Sequence, residues 1–597
     1  MEILYKNKRL ESILIAVNAL AAATVTATFV LLFGGFEKPL LPRTILYTLQ
    51  FVLLFVFIAE KMLRLFNTVS KTAFLRANWY EIPLLLSLSI ALFGAGRWFA
   101  STELESSIVQ HFAVGVYLVI QVVTKVCRTT IDLAATGRNP TRTLMASFVV
   151  LIVSGAGLLM LPAATRSPDN ISFVDALFTS ASAACVTGLT VKDIGQDFTV
   201  MGQVVIITLI QLGGLGIVIF GAVLALLLGQ AFSVRESVAM QDLLNANTLS
   251  RIGNMIAFIF IGTMLIETVG AVVLYWMWDD VPALAGMHNQ WFCSIFHSIS
   301  AFCNAGFGLF TKNLMGYNRC WQIYAGICPL IILGGLGFGV LFDIFNFITD
   351  RSKRLFTRCF INKSPFSVGS PKKLQLQTKV VLSVSAALII LGALAILFFE
   401  SCTGRVDPGQ KVGILDAFFQ SVTARTAGFN TIDIGSMSAS SKFILILLMF
   451  IGGSPGSTAG GIKTVTLAVI VMTAVAALRR RSEVEIFKRS VRIVVVGRAV
   501  TVTLFFTAVL FASTLALSVT ENSSGFPMID IMFEAASALG TVGLSTGITD
   551  SLTMVGKLII IIEMLIGRLG PLTLLAALTF NVKPASYNYP DESIIVG

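Results

Sequence analysis

Apolar runs long enough to cross a bilayer alternate with short polar loops along nearly the whole chain. Runs near the ~20 residues that a membrane-spanning helix needs fall at 11–33, 44–66, 80–96, 107–127, 143–162, 200–229, 253–277, 321–347, 378–400, 441–478, 492–518 and 553–581. This pattern predicts twelve spans. Four further apolar segments, near 172–188, 289–306, 413–428 and 527–543, are too short to span. One span is interrupted by IGGSPGSTAGGIKT, residues 451–464. Glycine and proline cost a helix interior roughly 1 and 3 kcal/mol each, and lipid offers no water to freed backbone groups. The interruption is therefore expected to face something other than lipid.

The four short segments are copies of one pattern. Aligned on a glycine they read FTSASAACVTGLT, FHSISAFCNAGFG, FFQSVTARTAGFN and FEAASALGTVGLS. Phe178, Phe296, Phe418 and Phe533 each precede Gly188, Gly306, Gly428 and Gly543 by ten residues, and the glycines lie 118, 122 and 115 residues apart. Four copies of span, short helix, glycine turn and span form the plan of a tetrameric cation channel written into one chain. Short helices starting near Ser172, Asp175, Asp416 and Asp530 would aim the negative ends of their dipoles at mid-membrane, where a cation is stabilised. The glycines would let successive carbonyls replace an ion's hydration shell. Re-entrant packing hairpins without an ion are the alternative.

Composition agrees with an all-α polytopic membrane protein. The 597 residues are 55% hydrophobic and 13% charged, with mean hydropathy +0.85. The net charge of +11 would suggest nucleic acid in a soluble protein, but here the bases sit in loops, and no nucleic-acid partner is inferred. Lys6, Lys61, Lys125, Arg138, the eight bases of 351–379 and the cluster Arg479–Arg492 fall on one side. By the positive-inside rule that side is the cytoplasm, which places both termini inside and brings the short segments in from outside. The eight cysteines and His111, His288 and His297 show no disulfide or metal spacing. Ile13–Phe36 lacks a small-residue cleavage site and reads as a first span.

CVTGL, NAGFG, ARTAGFNTID, IGGSPGSTAGGIKT, FEAASALGTVGLSTG and IGRLGPLT, spread over about 140–585, resemble the Trk/Ktr/HKT superfamily of potassium transporters, most of all bacterial KtrB and TrkH membrane subunits. The resemblance implies four membrane–pore–membrane repeats around a pseudo-fourfold pore, K⁺ uptake across the bacterial plasma membrane, and a homodimer. Na⁺ enters as an activator or coupling ion. Glycine at 188 resembles the potassium-selective members, since sodium-selective relatives carry serine there. The carried-over selectivity filter is Val186, Thr187, Gly188 and Leu189; Asn304, Ala305, Gly306 and Phe307; Thr426, Ala427, Gly428 and Phe429; Thr541, Val542, Gly543 and Leu544. K⁺ would bind their carbonyls. The gate would comprise Gly452, Gly453, Ser454, Gly456, Ser457, Thr458, Gly460, Gly461 and Lys463, with Arg568 as an electrostatic barrier. Arg425, beside the third filter strand, reads as a structural brace to pore-loop carbonyls or an acidic neighbour.

The units are expected at 140–232, 250–348, 375–480 and 490–585, with a cytoplasmic tail at 586–597. Residues 1–135 form four further spans in which Phe57, Glu60 and Glu81 are similar to the acidic and aromatic site of a voltage sensor. The fourth of these spans offers only Lys125 and Arg128, too few charges to sense a field, and ordinary helix packing explains the region equally well. Glu267 and Glu563 are intramembrane acids that helix-packing hydrogen bonds would also explain. No strand–turn–helix of GxGxxG type occurs, so nucleotide control would need a cytoplasmic regulatory ring in trans. A Na⁺ or poorly selective cation channel is the runner-up, and no cluster of catalytic groups argues for an enzyme.

Overall fold

The computed structural model describes residues 6–36, 41–79, 81–98, 110–122 apart from 112 and 119, 140–166, 171–216, 252–278, 290–360, 371–402, 412–481 and 483–570. Lys125 and Arg128 lie outside these. Apolar, glycine-punctuated stretches fold into four units, each with an outer helix, a short pore helix and an inner helix. The outer helices are Pro140–Leu159, Ile252–Leu274, Leu376–Cys402 and Ile493–Thr520. The pore helices are Phe173–Ala184, Gln290–Phe302, Ile414–Thr423 and Met528–Gly540. The inner helices are Val200–Leu215, Cys328–Leu336, Ala439–Phe450 and Met554–Leu569.

Besides the interruption expected within 441–478, three more of the twelve predicted spans are not single continuous helices among the described residues. Among the described residues five helices are long and apolar enough to cross a membrane, or six if Ile323–Leu336 and Phe338–Thr357 count together across their 102° bend. The predicted spans at 200–229, 321–347, 441–478 and 553–581 all stop or turn within the run. The sequence repeats LGGLG at 212–216 and 333–337, IGGSPG at 451–456 and IGRLG at 566–570. The last glycine of each, Gly216, Gly337, Gly456 and Gly570, has φ of 84°, 89°, 70° and 79°, which no helix continues through. The third unit differs from the second in the length of its interruption, since helix resumes at Phe338 directly after Gly337 but only at Thr464 in the third.

At two seams a side chain of one inner helix meets the start of the next pore helix. Lys442 binds Asp530 at 2.8 Å between units three and four, and Lys557 binds Asp175 at 2.7 Å between units four and one. Ten positions before the first glycine of the inner-helix motif, these lysines are equivalent to Gln203 and Tyr324 in units one and two. Gln203 instead donates to the carbonyls of Ile194 and Phe198 in its own unit.

In the N-terminal helices Lys8–Phe33, Arg43–Asn67 and Glu81–Trp98, the acids find basic partners on the second helix. Arg64 binds Glu60 at 2.6 Å and Glu11 at 3.3 Å, and Lys61 binds Glu81 at 2.7 Å. Gln121 also donates to Glu81, at 2.9 Å. The bundle meets the first unit where the Ala163 N–H donates to the Gly34 carbonyl at 2.9 Å.

The two seam ion pairs are only 8–15% exposed. Replacing Lys442 or Lys557 by Met should cost between the ~1 kcal/mol of an exposed pair and the ~3 kcal/mol of a buried one. Thermal unfolding in detergent checks this, and a double-mutant cycle with Asp530→Asn or Asp175→Asn should recover most of the loss as coupling.

Candidate functional site

The four glycines at which the repeats align converge. A Cβ added to Gly188 would strike the Ala305 carbonyl oxygen, to Gly306 that of Ala427, to Gly428 that of Val542, and to Gly543 that of Thr187, each nearer than the 3.0 Å that real Cβ atoms keep. Followed in order, the contacts return to their start. The result is a closed ring in which every unit lays a backbone carbonyl against the bare α-carbon of its neighbour.

Two residues before each glycine the chain bends through positive φ without the help of glycine: Val186 at 58°, Asn304 at 59°, Thr426 at 74° and Thr541 at 50°. Such conformations cost of order 1–3 kcal/mol each and persist where surroundings enforce them. Here a pore-helix hydroxyl does so in every unit. Ser182 Oγ accepts from the Gly188 N–H and Ser537 Oγ from the Gly543 N–H, both at 3.1 Å. Ser300 Oγ donates to the Phe307 carbonyl at 2.8 Å and Thr423 Oγ1 to the Phe429 carbonyl at 2.7 Å. All sixteen filter residues lie at this turn, all buried except the half-buried Gly543, and the four glycines are reached from one side through the vestibule described below. Thr187, Thr426 and Thr541 keep buried hydroxyl oxygens with no hydrogen-bond partner among the described residues, a lining suited to a polar guest.

The third unit corrects the sequence alignment by one residue. Near the aligned pore-helix position Phe178, Phe296, Phe419 and Phe533 are fully buried, while Phe418 is only partly buried. Phe419 precedes Gly428 by nine residues. The hydrogen bonds agree, since Ala427 N–H reaches back four residues to Thr423, where Thr187, Ala305 and Val542 reach back five. Ungapped alignment on the glycines could not detect this because residue 418 is also phenylalanine.

On one side of the ring lies a vestibule of about 510 Å³ that all four glycines line, together with Asp193, Asp197, Asp433 and Asp550 against Lys192 and Lys312. Its acidic balance favours cations. These acids went unread in the sequence, although KDIG and IDIG follow the first and third filter glycines at the same distance. Asp193 and Asp433 repeat a role, each accepting from the N–H of the glycine two residues on. Arg425 points away, its guanidinium donating to Ser385 Oγ at 3.1 Å and to the Ser385 carbonyl at 3.5 Å. It braces its own outer helix, not the pore-loop carbonyls or an acidic neighbour as expected.

On the other side the 452–463 segment packs beneath the ring. Ile451 and Ile462 pair as a bridge at its base. The Ser454 N–H donates to the Gly335 carbonyl at 3.0 Å and the Phe338 N–H to the Gly456 carbonyl at 2.9 Å, which ties the segment to the bend in unit two. A side chain at Gly460 would strike Thr541 of unit four, and one at Gly453 would strike Ala459. Ser457 Oγ donates to the Ser454 carbonyl, and Thr458 Oγ1 to the Phe302 carbonyl at 3.4 Å. Lys463 turns inward, donating to the Ala459 carbonyl at 2.7 Å and to that of Gly460 at 3.4 Å, and Gly452 and Gly461 form the closely packed neck of the loop. Arg568 donates to the Thr458 carbonyl of this loop and to the Gly213 and Gly214 carbonyls of unit one. One guanidinium thus links units four, three and one.

A family model described as cation transport protein, TrkH, matches residues 106–588. The chain belongs to this family. It is 38% identical over 465 residues to the Ktr system potassium uptake protein B of Bacillus subtilis (strain 168), covering 77% of this chain and 97% of that protein. It is also 36% identical over 463 residues to the potassium/sodium uptake protein NtpJ of Enterococcus hirae, again covering 77% and 97%. The crystal structure of the potassium transporter TrkH from Vibrio parahaemolyticus shares the fold with a TM-score of 0.55 at 20% identity, over 84% of this chain and 96% of that one. The protein is thus a membrane cation transporter built on the four-repeat pore fold, and not an enzyme.

Within this fold the two buried acids differ. Glu267 accepts from Gln211 at 3.2 Å, and its backbone carbonyl accepts from Ser298 at 2.6 Å, so it joins units one and two by helix-packing hydrogen bonds. Glu563 marks a local exchange. In units one to three a Cβ on Gly155, Gly270 or Gly392 would strike the hydroxyl of Ser180, Ser298 or Ser421 and the side chain of Leu209, Leu330 or Leu448. The equivalent positions of unit four hold Ser513, Ala535 and Glu563. Ser513 Oγ supplies the Leu510 carbonyl at 3.1 Å, the bond that the pore-helix serines make elsewhere, as Ser180 does to Ile152. The hydroxyl has changed sides. Glu563→Leu alone should destabilise by the roughly 1–3 kcal/mol of an overpacked core, because Ser513 fills the space that glycine leaves. The triple variant E563L/S513G/A535S should recover most of that loss, as measured by the melting temperature of the purified protein.

Proposed function

We propose that the protein takes up K⁺ across the plasma membrane through the ring of Gly188, Gly306, Gly428 and Gly543, with the 452–463 segment as gate and Arg568 as the latch that holds it shut. The observation that carries this reading is the closed ring of carbonyls packed on bare glycine α-carbons. No side chain interposes there, so dehydrated cations meet backbone oxygens. K⁺ is favoured over Na⁺ by glycine at all four positions and by the potassium in the names of the similar proteins. The Enterococcus relative's name also includes sodium, which supports Na⁺ as activator or coupling ion. Both termini are read as cytoplasmic from the charge of the loops. The working assembly we favour is a homodimer regulated in trans by a nucleotide-binding cytoplasmic ring, because the chain carries no dinucleotide-binding motif of its own.

Arg568 acts here through hydrogen bonds. Its charge opposes a cation, and its donors hold the loop carbonyl of Thr458 in place. Charge-assisted hydrogen bonds contribute roughly 1.5–3 kcal/mol each, so Arg568→Gln should raise flux about tenfold or more. Deleting 453–458 should raise it further, and unchanged flux in both would argue that the segment is not a gate. The filter is tested by uptake of Rb⁺ against Na⁺ into proteoliposomes and by growth of a potassium-uptake-deficient bacterium at low K⁺. Native protein should prefer Rb⁺ and support growth. Gly428→Ala, whose methyl would meet the Val542 carbonyl, should lose that preference. Equal Rb⁺ and Na⁺ flux in the native protein would favour the unselective channel.

A further inference from the structure

The inner helix that resumes after the gate segment, Thr464–Leu478, runs into a two-stranded hairpin, Val484–Ile486 paired with Arg489–Val491. Val484 and Ile486 are buried in one apolar cluster with Ala468, Val469, Ala476 and Val496. The hairpin is thus packed rigidly onto the helix that begins at the residue after Lys463. Its turn is made by Phe487 and Lys488, both at positive φ, 50° and 61°. Two-residue turns of this hand favour Asn-Gly or Asp-Gly. A phenylalanine and a lysine there cost free energy, and strain of this kind points toward function.

The outward side is cationic with an apolar rim. Residues 479–492 hold six bases and two acids, and Arg481 pairs with Glu485 at 2.7 Å. Arg480, Lys488, Arg489 and Arg492 are exposed. Phe487 is 55% exposed, and Leu478 and Ile493, where the flanking helices end and begin, are 85% and 79% exposed. The next helix, Ile493–Thr520, is long and apolar enough to cross a membrane, which sets the hairpin at the bilayer boundary.

We propose that this hairpin is a docking surface for anionic lipid headgroups, with Phe487 entering the acyl boundary while Arg480, Lys488 and Arg489 bind lipid phosphates. Interfacial segments combine buried apolar area with electrostatic attraction to anionic lipid. A soluble polyanion would engage the charges but leave Leu478, Phe487 and Ile493 in water. Because the hairpin and Thr464–Leu478 share one core, lipid held at the hairpin also fixes the lower anchor of the gate segment.

The full-length protein in nanodiscs of phosphatidylcholine with graded phosphatidylglycerol tests this, with retained lipid counted by native mass spectrometry and Rb⁺ uptake followed in matched vesicles. Each base near an anionic surface contributes about 1 kcal/mol, so R480Q/K488Q/R489Q should weaken phosphatidylglycerol retention roughly tenfold or more and flatten the dependence of uptake on phosphatidylglycerol. Phe487→Ser should weaken retention by a smaller factor. The charge-matched control R351Q/K353Q/K373Q should leave it unchanged. In native protein the preference should fall in about 1 M salt, where the Debye length is ~3 Å, a readout that needs no variant to fold. Equal retention by native protein and the hairpin variant would overturn the proposal. So would native protein that binds soluble glycerophosphate or an acidic protein while showing no preference for phosphatidylglycerol over phosphatidylcholine.

Discussion

The contact on which the rest depends is the abutment of a carbonyl oxygen against the α-carbon of the next unit's filter glycine, repeated until it closes on itself. It has room for no side chain at Gly188, Gly306, Gly428 or Gly543, and it forces Val186, Asn304, Thr426 and Thr541 into positive φ. That strain is held by hydroxyls at the ends of the pore helices. Those helices are in turn held by buried phenylalanines and, at two seams, by ion pairs from the neighbouring inner helix. Each layer outward exists to keep the inner one in register.

Fourfold repetition holds at the ring and not beneath it. The filter turns are alike in backbone, yet units one and four anchor them through the glycine N–H, and units two and three through the following carbonyl. Below the ring the symmetry is lost. Unit three interposes its segment, unit two offers its bend as a seat, and unit four supplies an arginine where the aligned positions of the other units hold Gly214, Gly335 and Gly453. Three small residues leave space, and the fourth fills it with a charge that grips carbonyls of its neighbours. In the N-terminal bundle Glu81 and Glu60 have Lys61 and Arg64 as partners.

Much of this was legible in the chain. Apolar runs and four aligned glycines sufficed for membrane residence, the repeat and the location of the pore turns, because hydropathy and the need for positive φ are local demands written residue by residue. The one-residue slip in unit three was not legible, since adjacent phenylalanines at 418 and 419 satisfy the pattern equally and only burial separates them. The partner of Arg425 was misread because Ser385 lies 40 residues away on another helix. The inner-helix breaks were written in LGGLG and IGRLG, but glycines inside long apolar runs look like continuous spans until a backbone is built through them.

The sequence by itself determined an all-helical membrane protein with four glycine turns and one long glycine-rich interruption, since each of these rests on the chemistry of neighbouring residues. Only the tertiary structure decided that the four turns close into one ring, that Arg568 spans three units, and that Ser513 and Glu563 replace the glycine and leucine of the other repeats. The ring and the reach of Arg568 depend on atoms brought together from residues more than 100 positions apart, and the exchange at Ser513 and Glu563 on residues 50 apart on two helices, distances at which local pattern carries no information about who meets whom.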